Sequence, residues 1–361
     1  MPKASTHADI LNRDQAGAGR LGPARSRGVL LWRTLTAACA NLKAFLLVRE
    51  MSTNLKHRQH HVCQTYLRGW ATDGKVWVLQ AGVIRRAPTR DVAVKRHFYK
   101  LQALTEADLL FLRAWISKSP KRLQRSHENF ITMFGFPPTM RQQLPEAVVA
   151  ANPELVARLD EQIVNAEEDF HSSLEGNVAP QIEAMRQGDV SFFADKYRGA
   201  KFAHFLALQH FRTNAMKTRV ITRLRVRMGL DVSRAWNVLA HIIASNVGFT
   251  FYLERKSNPL ALLTNNTALP FITSDQPTIN LLGASDTDVV PEHLALYYPV
   301  SPTRAVVLDA IEQPCGLVGK VLTDNDVKSL NAQVLRASVL QVFASSRDAL
   351  EGISAQQLHS A

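Results

Sequence analysis

The chain has 361 residues, 46% of them hydrophobic, which is enough to bury one large core or two ordinary ones. Its three cysteines, Cys39, Cys63 and Cys315, have no C-x-x-C spacing, which excludes a disulfide framework and a thiolate zinc site and favours a reducing, cytoplasmic setting. Polar and charged residues interrupt the apolar stretch 28–48, which falls short of the roughly 18 apolar residues of a membrane span, so no membrane association is expected.

The net charge of +12 lies in the first hundred residues. Residues 1–50 carry +5, residues 51–101 carry +8, and the remainder carries −1. Such an asymmetry indicates contact with a polyanion such as nucleic acid, because binding at phosphates releases counterions. A solvated basic face is the alternative interpretation.

The first fifty residues show no sustained period, and Met51 opens an ordinary polar start. We interpret residues 1–50 as a disordered extension or as a segment upstream of the true start, with an Arg-rich targeting leader as the alternative. We expect residues 51–346 to form a single module and residues 347–361 to be a flexible tail.

In chain order, residues 74–88 alternate apolar side chains and turn at Ala81-Gly82, which predicts a β-hairpin. Thr105 precedes acidic residues and an apolar series, so it is predicted to cap a helix. A helical block is expected over about residues 105–248.

Within that block, a long helix is predicted to open at Asn152-Pro153, and Gly176 and Pro180 are expected to kink or interrupt it. Apolar spacings of three and four predict further helices over about residues 191–228 and 233–248.

After the block the period becomes that of strands, at residues 261–264, 271–273, 294–298, 305–308 and 339–343, with one helix at 324–337. Neither the N-terminal nor the C-terminal strands suffice to bury both faces of a sheet. We therefore expect an α+β fold in which both sets meet in one mostly antiparallel sheet, with the helical block packed against it.

Short motifs along the module are similar to one family. The run His60-His61-Val62-Cys63-Gln64-Thr65-Tyr66-Leu67-Arg68 resembles the His-Tyr-Val-Pro-Gln-Phe-Tyr-Leu-Arg opening of the bacterial family called domain of unknown function 4238. The likeness continues in family order over about residues 57–346, through His97-Phe98-Tyr99, Glu175, Gln209 to Thr213, Phe271 to Pro277, Tyr298 to Pro302 and Leu330-Asn331. The chain departs from the pattern at His61, Cys63 and Thr65. The resemblance implies a shared fold and a shared polar set.

Gln209 and Arg212 are three residues apart and share one helical face, where Glu175 is the natural carboxylate partner of Arg212. One hypothesis is that Arg212 holds an anionic substrate group while Glu175 orients it or acts as a base. The alternative is a buried ion pair that locks two helices together.

Three further residues complete the candidate set. Asp275 follows a predicted strand, a usual place for active-site residues, although its sequence is also good turn chemistry. Asn331 is a candidate substrate ligand or a cap on a neighbouring backbone group. His60 is a candidate general acid or base, with a hydrogen-bonded structural histidine as the alternative.

The N-terminal histidines match no compact metal motif, so no metal site is predicted, and no cofactor is assigned. The sequence also has no nucleophile elbow, Walker loop or dinucleotide fingerprint.

Three functions remain open. The first, which we favour, is a nucleic-acid-directed enzyme of hydrolase or toxin/defence type with His60, Glu175 and Asp275 as catalytic residues. The second is a non-catalytic module that binds nucleic acid or a partner through the basic residues Arg85, Arg86, Arg90, Lys95 and Arg96. The third is a small-molecule enzyme whose anionic substrate is held by Arg212.

Overall fold

The computed structural model describes residues 55–256, 259–283, 293–309, 316–317 and 319–358. The predicted extension 1–50, together with Cys39 and Cys315, lies outside the described residues. Among the helices that are described, none has the length and apolar character needed to cross a membrane.

Eleven helices make up most of the described chain. They are α1 (Gln64–Leu67), α2 (Glu106–Lys118), α3 (Lys121–Phe130), α4 (Phe136–Gln143), α5 (Glu146–Ala151), α6 (Pro153–Arg186), α7 (Lys196–Phe211), α8 (Asn214–Met228), α9 (Trp236–Leu253), α10 (Asp324–Ala337) and α11 (Arg347–Leu358). A π-helical turn, Ile131–Gly135, joins α3 to α4. Helices α2 to α9 form the predicted helical block, so the α+β class is confirmed.

The strands of the described chain are short. They are β1 (Arg58–His60), β2 (Lys75–Gln80), β3 (Val83–Pro88), β4 (Val94–Arg96), β5 (Leu260–Thr264), β6 (Thr273–Ser274), β7 (Ile279–Asn280), β8 (Ala295–Ser301), β9 (Arg304–Asp309) and β10 (Val342–Ala344). They form a β1-β4 ribbon and two four-stranded sheets, ordered β3-β2-β10-β6 and β5-β9-β8-β7, with antiparallel pairing throughout.

The N-terminal and C-terminal strands do meet, because β10 pairs with β2 of the hairpin and with β6. The expectation of one sheet was wrong, since β5, β7, β8 and β9 pair only among themselves within the described residues. Each of the two sheets instead packs one face against helices or against apolar side chains of the core.

Helix α6 is continuous over 34 residues, so the predicted interruption at Gly176 and Pro180 was wrong. Both residues lie on the exposed side of the helix, where the Gly176 carbonyl released by the proline can bind water. Val178, Ile182 and Met185 are fully buried on the opposite side and hold the helix in place.

The predicted helix over residues 191–228 is divided. Asp195 accepts hydrogen bonds from the first turn of α7, and Thr213 caps α8, so the chain breaks after Phe211. This break places Arg212 at the C-terminal end of α7. The predicted flexible tail was also wrong in part, because residues 347–358 form α11 and bury Leu350 and Ile353.

The first motif of the chain is tied to the C-terminal strands. Tyr66 Oη lies 2.6 Å from Thr273 Oγ1, and its ring stacks on Tyr298 with 4.7 Å between centroids. Trp70 Nε1 donates to the Phe271 carbonyl at 3.0 Å. These buried contacts hold α1 and the turn after it against the C-terminal strands.

Candidate functional site

Arg212 is the centre of a buried polar cluster at the end of α7. Its side chain is only 2% exposed. Arg212 Nη2 donates to Glu175 Oε1 at 2.6 Å and to Gln209 Oε1 at 3.0 Å. The structure therefore brings together the three residues that the sequence placed on facing helices.

Several donors of this cluster are left over. Arg212 Nε, Arg212 Nη1 and Gln209 Nε2 are buried and have no hydrogen-bond partner among the described residues. An unpaired buried donor costs roughly 1–3 kcal/mol, and more when it is charged. Guanidinium and amide N–H groups of this kind are donors that bind the oxygens of anionic groups.

His60 ends β1 beside this cluster, and its ring is electrostatically coupled to Glu175 and Arg212. The ring donates to the Arg90 backbone carbonyl, while His60 Nε2 is buried without a partner in the described part of the chain. Burial lowers the pKa of His60, and the contact with Arg90 only partly opposes it. The imidazole is therefore neutral at neutral pH and offers a free lone pair at Nε2.

Glu168 and Cys63 flank the cluster. Burial, reinforced by the charge of Glu175, raises the pKa of Glu168 to about 7. The backbone of His60 acts in the opposite direction on this pKa, and Glu168 Oε2 is buried without a hydrogen-bond partner in the described chain. Burial also raises the pKa of the Cys63 thiol to about 12, and the neighbouring Glu175 acts in the same direction. Cys63 is thus an unreactive thiol, consistent with the absence of a nucleophile motif.

Asp275 lies in the loop after β6, and its carboxylate binds backbone groups. Its two carboxylate oxygens accept the backbone N–H groups of Val339 and Leu340 at 2.9 and 2.7 Å. Both oxygens are therefore engaged in holding the segment between α10 and β10. These two contacts favour the alternative interpretation, in which the residues around Asp275 form a structural turn, and the catalytic role stays a prediction.

Asn331 also clamps backbone. Its side-chain oxygen accepts from Ile272 N at 3.1 Å, and its amide nitrogen donates to the Pro270 carbonyl at 2.9 Å. The predicted role as a substrate ligand does not fit this arrangement. The alternative, a backbone cap, does.

The loop that Asp275 secures in turn supports Arg212. Gln276 hydrogen-bonds Thr213 Oγ1, and its amide nitrogen donates to the carbonyls of His210 and Thr278. The motif around Asp275 and the motif around Arg212 therefore interlock. Asp275 thus supports the site through this loop.

The five basic residues singled out by sequence do not form one surface. Arg85 and Arg86 are neighbours on β3 and so point to opposite faces of that sheet. Lys95 and Arg96 lie on β4 of the ribbon that ends at His60, while Arg90 precedes that strand. Of the five, Arg90 is the one whose backbone interacts with His60 beside the Arg212 cluster.

An open cleft lies next to the same ribbon. It has a volume of about 570 Å³ and is lined by Gln64, Arg68, Lys75 and Arg90 among others. Arg90 connects the two features, since its side chain lines the cleft and its backbone carbonyl binds His60. The lining of the cleft therefore includes three basic residues, Arg68, Lys75 and Arg90, and one acidic residue, Asp73.

A second polar group, which the sequence analysis missed, lies deeper in the helical block. Glu167, His171 and His241 bring one ligand atom each within 4.8 Å of one another, and all three are buried. Glu167 and His171 are four residues apart on α6, so they share a helical face in an otherwise apolar series. This Glu-x-x-x-His spacing was the available signal, whereas His241 on α9 is distant in sequence.

The fold and the site together define an α+β protein in which a helix-terminal arginine, a histidine and several carboxylates converge at one buried position. A family model described as "Protein of unknown function (DUF4238)" matches residues 58–348, and the chain belongs to that family. The predicted resemblance over about residues 57–346 is confirmed. No curated protein and no solved structure matches the chain.

Proposed function

We propose that the protein is a nucleic-acid-directed hydrolase that holds a phosphate group with Arg212 and Gln209 and moves a proton with His60. The observation that carries the proposal is the set of three unpartnered donors of Arg212 and Gln209, beside a histidine whose Nε2 is also unpartnered within the described chain. Arginine offers several N–H groups in a planar fork that matches phosphate oxygens. The proposal assigns these groups to the substrate.

The basic ribbon supports a polyanionic substrate. Arg58 and Arg96 are direct cross-strand partners, and Lys95 is exposed next to them. Like charges placed opposite each other destabilise a ribbon, although Asp91 offsets part of this through its 2.9 Å contact with Arg58. A phosphate backbone on this surface would relieve the remaining repulsion. We place the activity in a reducing bacterial cytoplasm, in keeping with the free thiol of Cys63.

In the proposed reaction, water attacks the phosphorus atom while His60 Nε2 accepts its proton. The bond to the leaving oxygen breaks, and that oxygen keeps the electron pair and takes a proton from solvent. Negative charge grows on the non-bridging oxygens, where the Arg212 N–H groups stabilise it. Glu175 keeps the guanidinium in position through its contact with Nη2. Asp275 and Asn331 take no direct part, because backbone groups occupy them.

A second candidate is an enzyme that acts on a small anionic molecule. The observation in its favour is the depth of Arg212, whose side chain is 2% exposed. A continuous nucleic-acid strand does not reach such a position unless a terminal phosphate or a turned-out nucleotide enters the cluster. Mononucleotides therefore belong in the same test.

The test incubates the purified full chain with single-stranded RNA, single-stranded DNA, their duplexes and mononucleotides that carry terminal phosphates. We expect cleavage of a nucleic acid and a loss of about 10²–10³-fold in Arg212→Lys, which keeps the charge but removes the guanidinium donors. Arg85→Gln is the matched control, because this exposed arginine lies on β3 outside the cluster. Wild-type protein that cleaves none of these substrates, or full activity in Arg212→Lys, would overturn the proposal. Turnover of mononucleotides alone would select the second candidate.

The pH dependence provides a further test of His60. A general base must be neutral, so activity is expected to fall as the pH drops through the pKa of His60. Because burial lowers that pKa, the acidic limb of the profile should lie below pH 6.5, the ordinary value for histidine. His60→Gln should lose about 10²–10⁴-fold in rate and lose this limb. An unchanged limb in the variant would assign the titration to another group.

A further inference from the structure

We propose that Glu167, His171 and His241 bind a divalent first-row transition metal ion, zinc or iron(II), in the helical block next to the Arg212 cluster. The inference goes beyond the proposed hydrolase and does not depend on it. It rests on the geometry of three side chains that α6 and α9 hold in place.

The distances between the ligand atoms fit a metal centre. Glu167 Oε1 lies 3.2 Å from His241 Nε2 and 3.4 Å from His171 Nε2. Zinc binds nitrogen and carboxylate oxygen at about 2.0–2.2 Å, so two of its ligands in a tetrahedral site stand about 3.4 Å apart. The two distances from Glu167 fit this spacing, and the two imidazole nitrogens, which lie within 4.8 Å of each other, close onto a common ion when it binds.

His171 is buried, its Nε2 faces Glu167 Oε1 at 3.4 Å, and its Nδ1 has no partner in the described chain. Its side chain is 2% exposed, and neither Nδ1 nor Nε2 has a hydrogen-bond partner there. A buried imidazole that leaves both nitrogens unsatisfied is costly. A metal ion at Nε2 supplies the missing interaction of the atom that faces Glu167.

The surroundings of the three residues also suit a metal. Asn237 Nδ2 donates to Glu167 Oε2 at 2.5 Å, which leaves Oε1 directed at the two histidines. Such an outer partner orients a ligating carboxylate. The rings of Phe130, Phe134 and Phe170 lie within about 5 Å of the His241 ring and form an apolar shell.

The donor set defines the class of ion. Two histidines and one carboxylate bind catalytic zinc, and the same set binds iron(II) in non-haem enzymes. Both kinds of site keep a position open for water or a substrate atom. Three protein ligands at this site leave such a position.

The first experiment measures the metal content of the full-length protein, purified once in air with zinc in the growth medium and once without oxygen with iron. We expect one ion per chain, with the more abundant metal identifying the native ion. Reloading the chelator-treated protein with Co²⁺ should produce visible absorption bands, and adding Zn²⁺ should raise its melting temperature. A folded wild-type protein that retains no stoichiometric metal and shows no shift with Zn²⁺ would overturn the proposal.

Neighbouring glutamates provide the matched variants. Glu167→Gln should lose the metal, whereas Glu168→Gln, the same change one residue away on α6, should keep it. Asn237→Ala leaves the three ligands intact, so it should fold and lower the metal affinity by about 10–100-fold. Metal retained in both Glu167→Gln and His171→Gln, or lost equally in Glu168→Gln, would place the ion elsewhere and contradict the assignment.

Discussion

Two buried polar regions of the protein differ in whether their hydrogen-bonding groups have partners. Around Arg212, three buried donors have no partner in the described chain. In the loop that carries Asp275 and in the side chain of Asn331, carboxylate and amide atoms bind backbone groups at 2.7–3.1 Å. Both regions are buried, and both carry motifs of the family.

The difference separates residues that hold the fold from residues that are available to a ligand. Buried polar groups in folded proteins are almost always paired, so a saturated group contributes stability and needs no further role. Unpaired donors lower stability and persist where function uses them. The contrast predicts opposite effects of mutation in the two regions.

The largest effect on stability is expected for Asp275→Ala. The change orphans the N–H groups of Val339 and Leu340, and each hydrogen bond to a charged acceptor contributes about 1.5–3 kcal/mol. We expect the free energy of unfolding to fall by about 3 kcal/mol in urea titrations. Phosphate binding should survive at temperatures where the variant is folded. A stable but inactive variant would instead make Asp275 a catalytic residue.

A smaller loss is expected for Asn331→Ala. This change removes the partners of Ile272 N and the Pro270 carbonyl, which are neutral groups. The free energy of unfolding should fall by about 1–2 kcal/mol, measured in the same way. Exposed Asn177→Ala is the control and should behave as wild type. A loss of activity without a loss of stability would contradict the assignment of Asn331 as a backbone clamp.

Local signals in the sequence predicted the elements that depend on local chemistry. The hairpin turns at Ala81-Gly82, where both residues have positive φ angles, as a two-residue turn requires. Thr105 caps α2 with a capping box, and helix α10 has the predicted bounds 324–337. In each case a few adjacent residues determine the conformation.

The candidate site is formed by residues that are distant in sequence, so local patterns could not predict it in full. The pairing of Glu175 with Arg212 was predicted because both lay on facing helices, but the break after Phe211 was not. The sequence alone does not show whether a carboxylate such as Asp275 binds backbone groups or a substrate. Its role depends on where Val339 and Leu340 fold. The same holds for His241, which meets Glu167 only through the packing of α9 on α6.

Helix α9 also packs closely on α7 within the helical block. A Cβ atom on Gly248 of α9 would lie 2.7 Å from the Cα of His204 on α7, so only glycine fits there. No periodicity analysis of either helix alone predicts such an approach.

The Arg212 cluster, with its unpaired donors, should respond differently from the loop of Asp275 and from Asn331, whose polar atoms are paired. Gln209→Leu keeps the approximate size of the side chain and removes the unpartnered Nε2, while Arg212 retains Glu175. We expect the free energy of unfolding to change by no more than about 1 kcal/mol, since one hydrogen bond is lost and one orphaned donor disappears. Substrate affinity should fall clearly in binding titrations with inorganic phosphate. Equal affinity in the variant would show that Gln209 does not contact the anion.

The smallest effect is expected at Cys63. This residue lies next to Glu175, but its thiol is not available to react. Burial raises the pKa of its thiol to about 12, so the thiol stays protonated at pH 8 and resists alkylation. Iodoacetamide applied to the native protein, followed by peptide mapping, should leave Cys63 unmodified, while the same treatment in guanidinium should label it fully. Rapid labelling of the native protein would mean that solvent reaches the Arg212 cluster through this side, and the cluster would then be open where the structure has it closed.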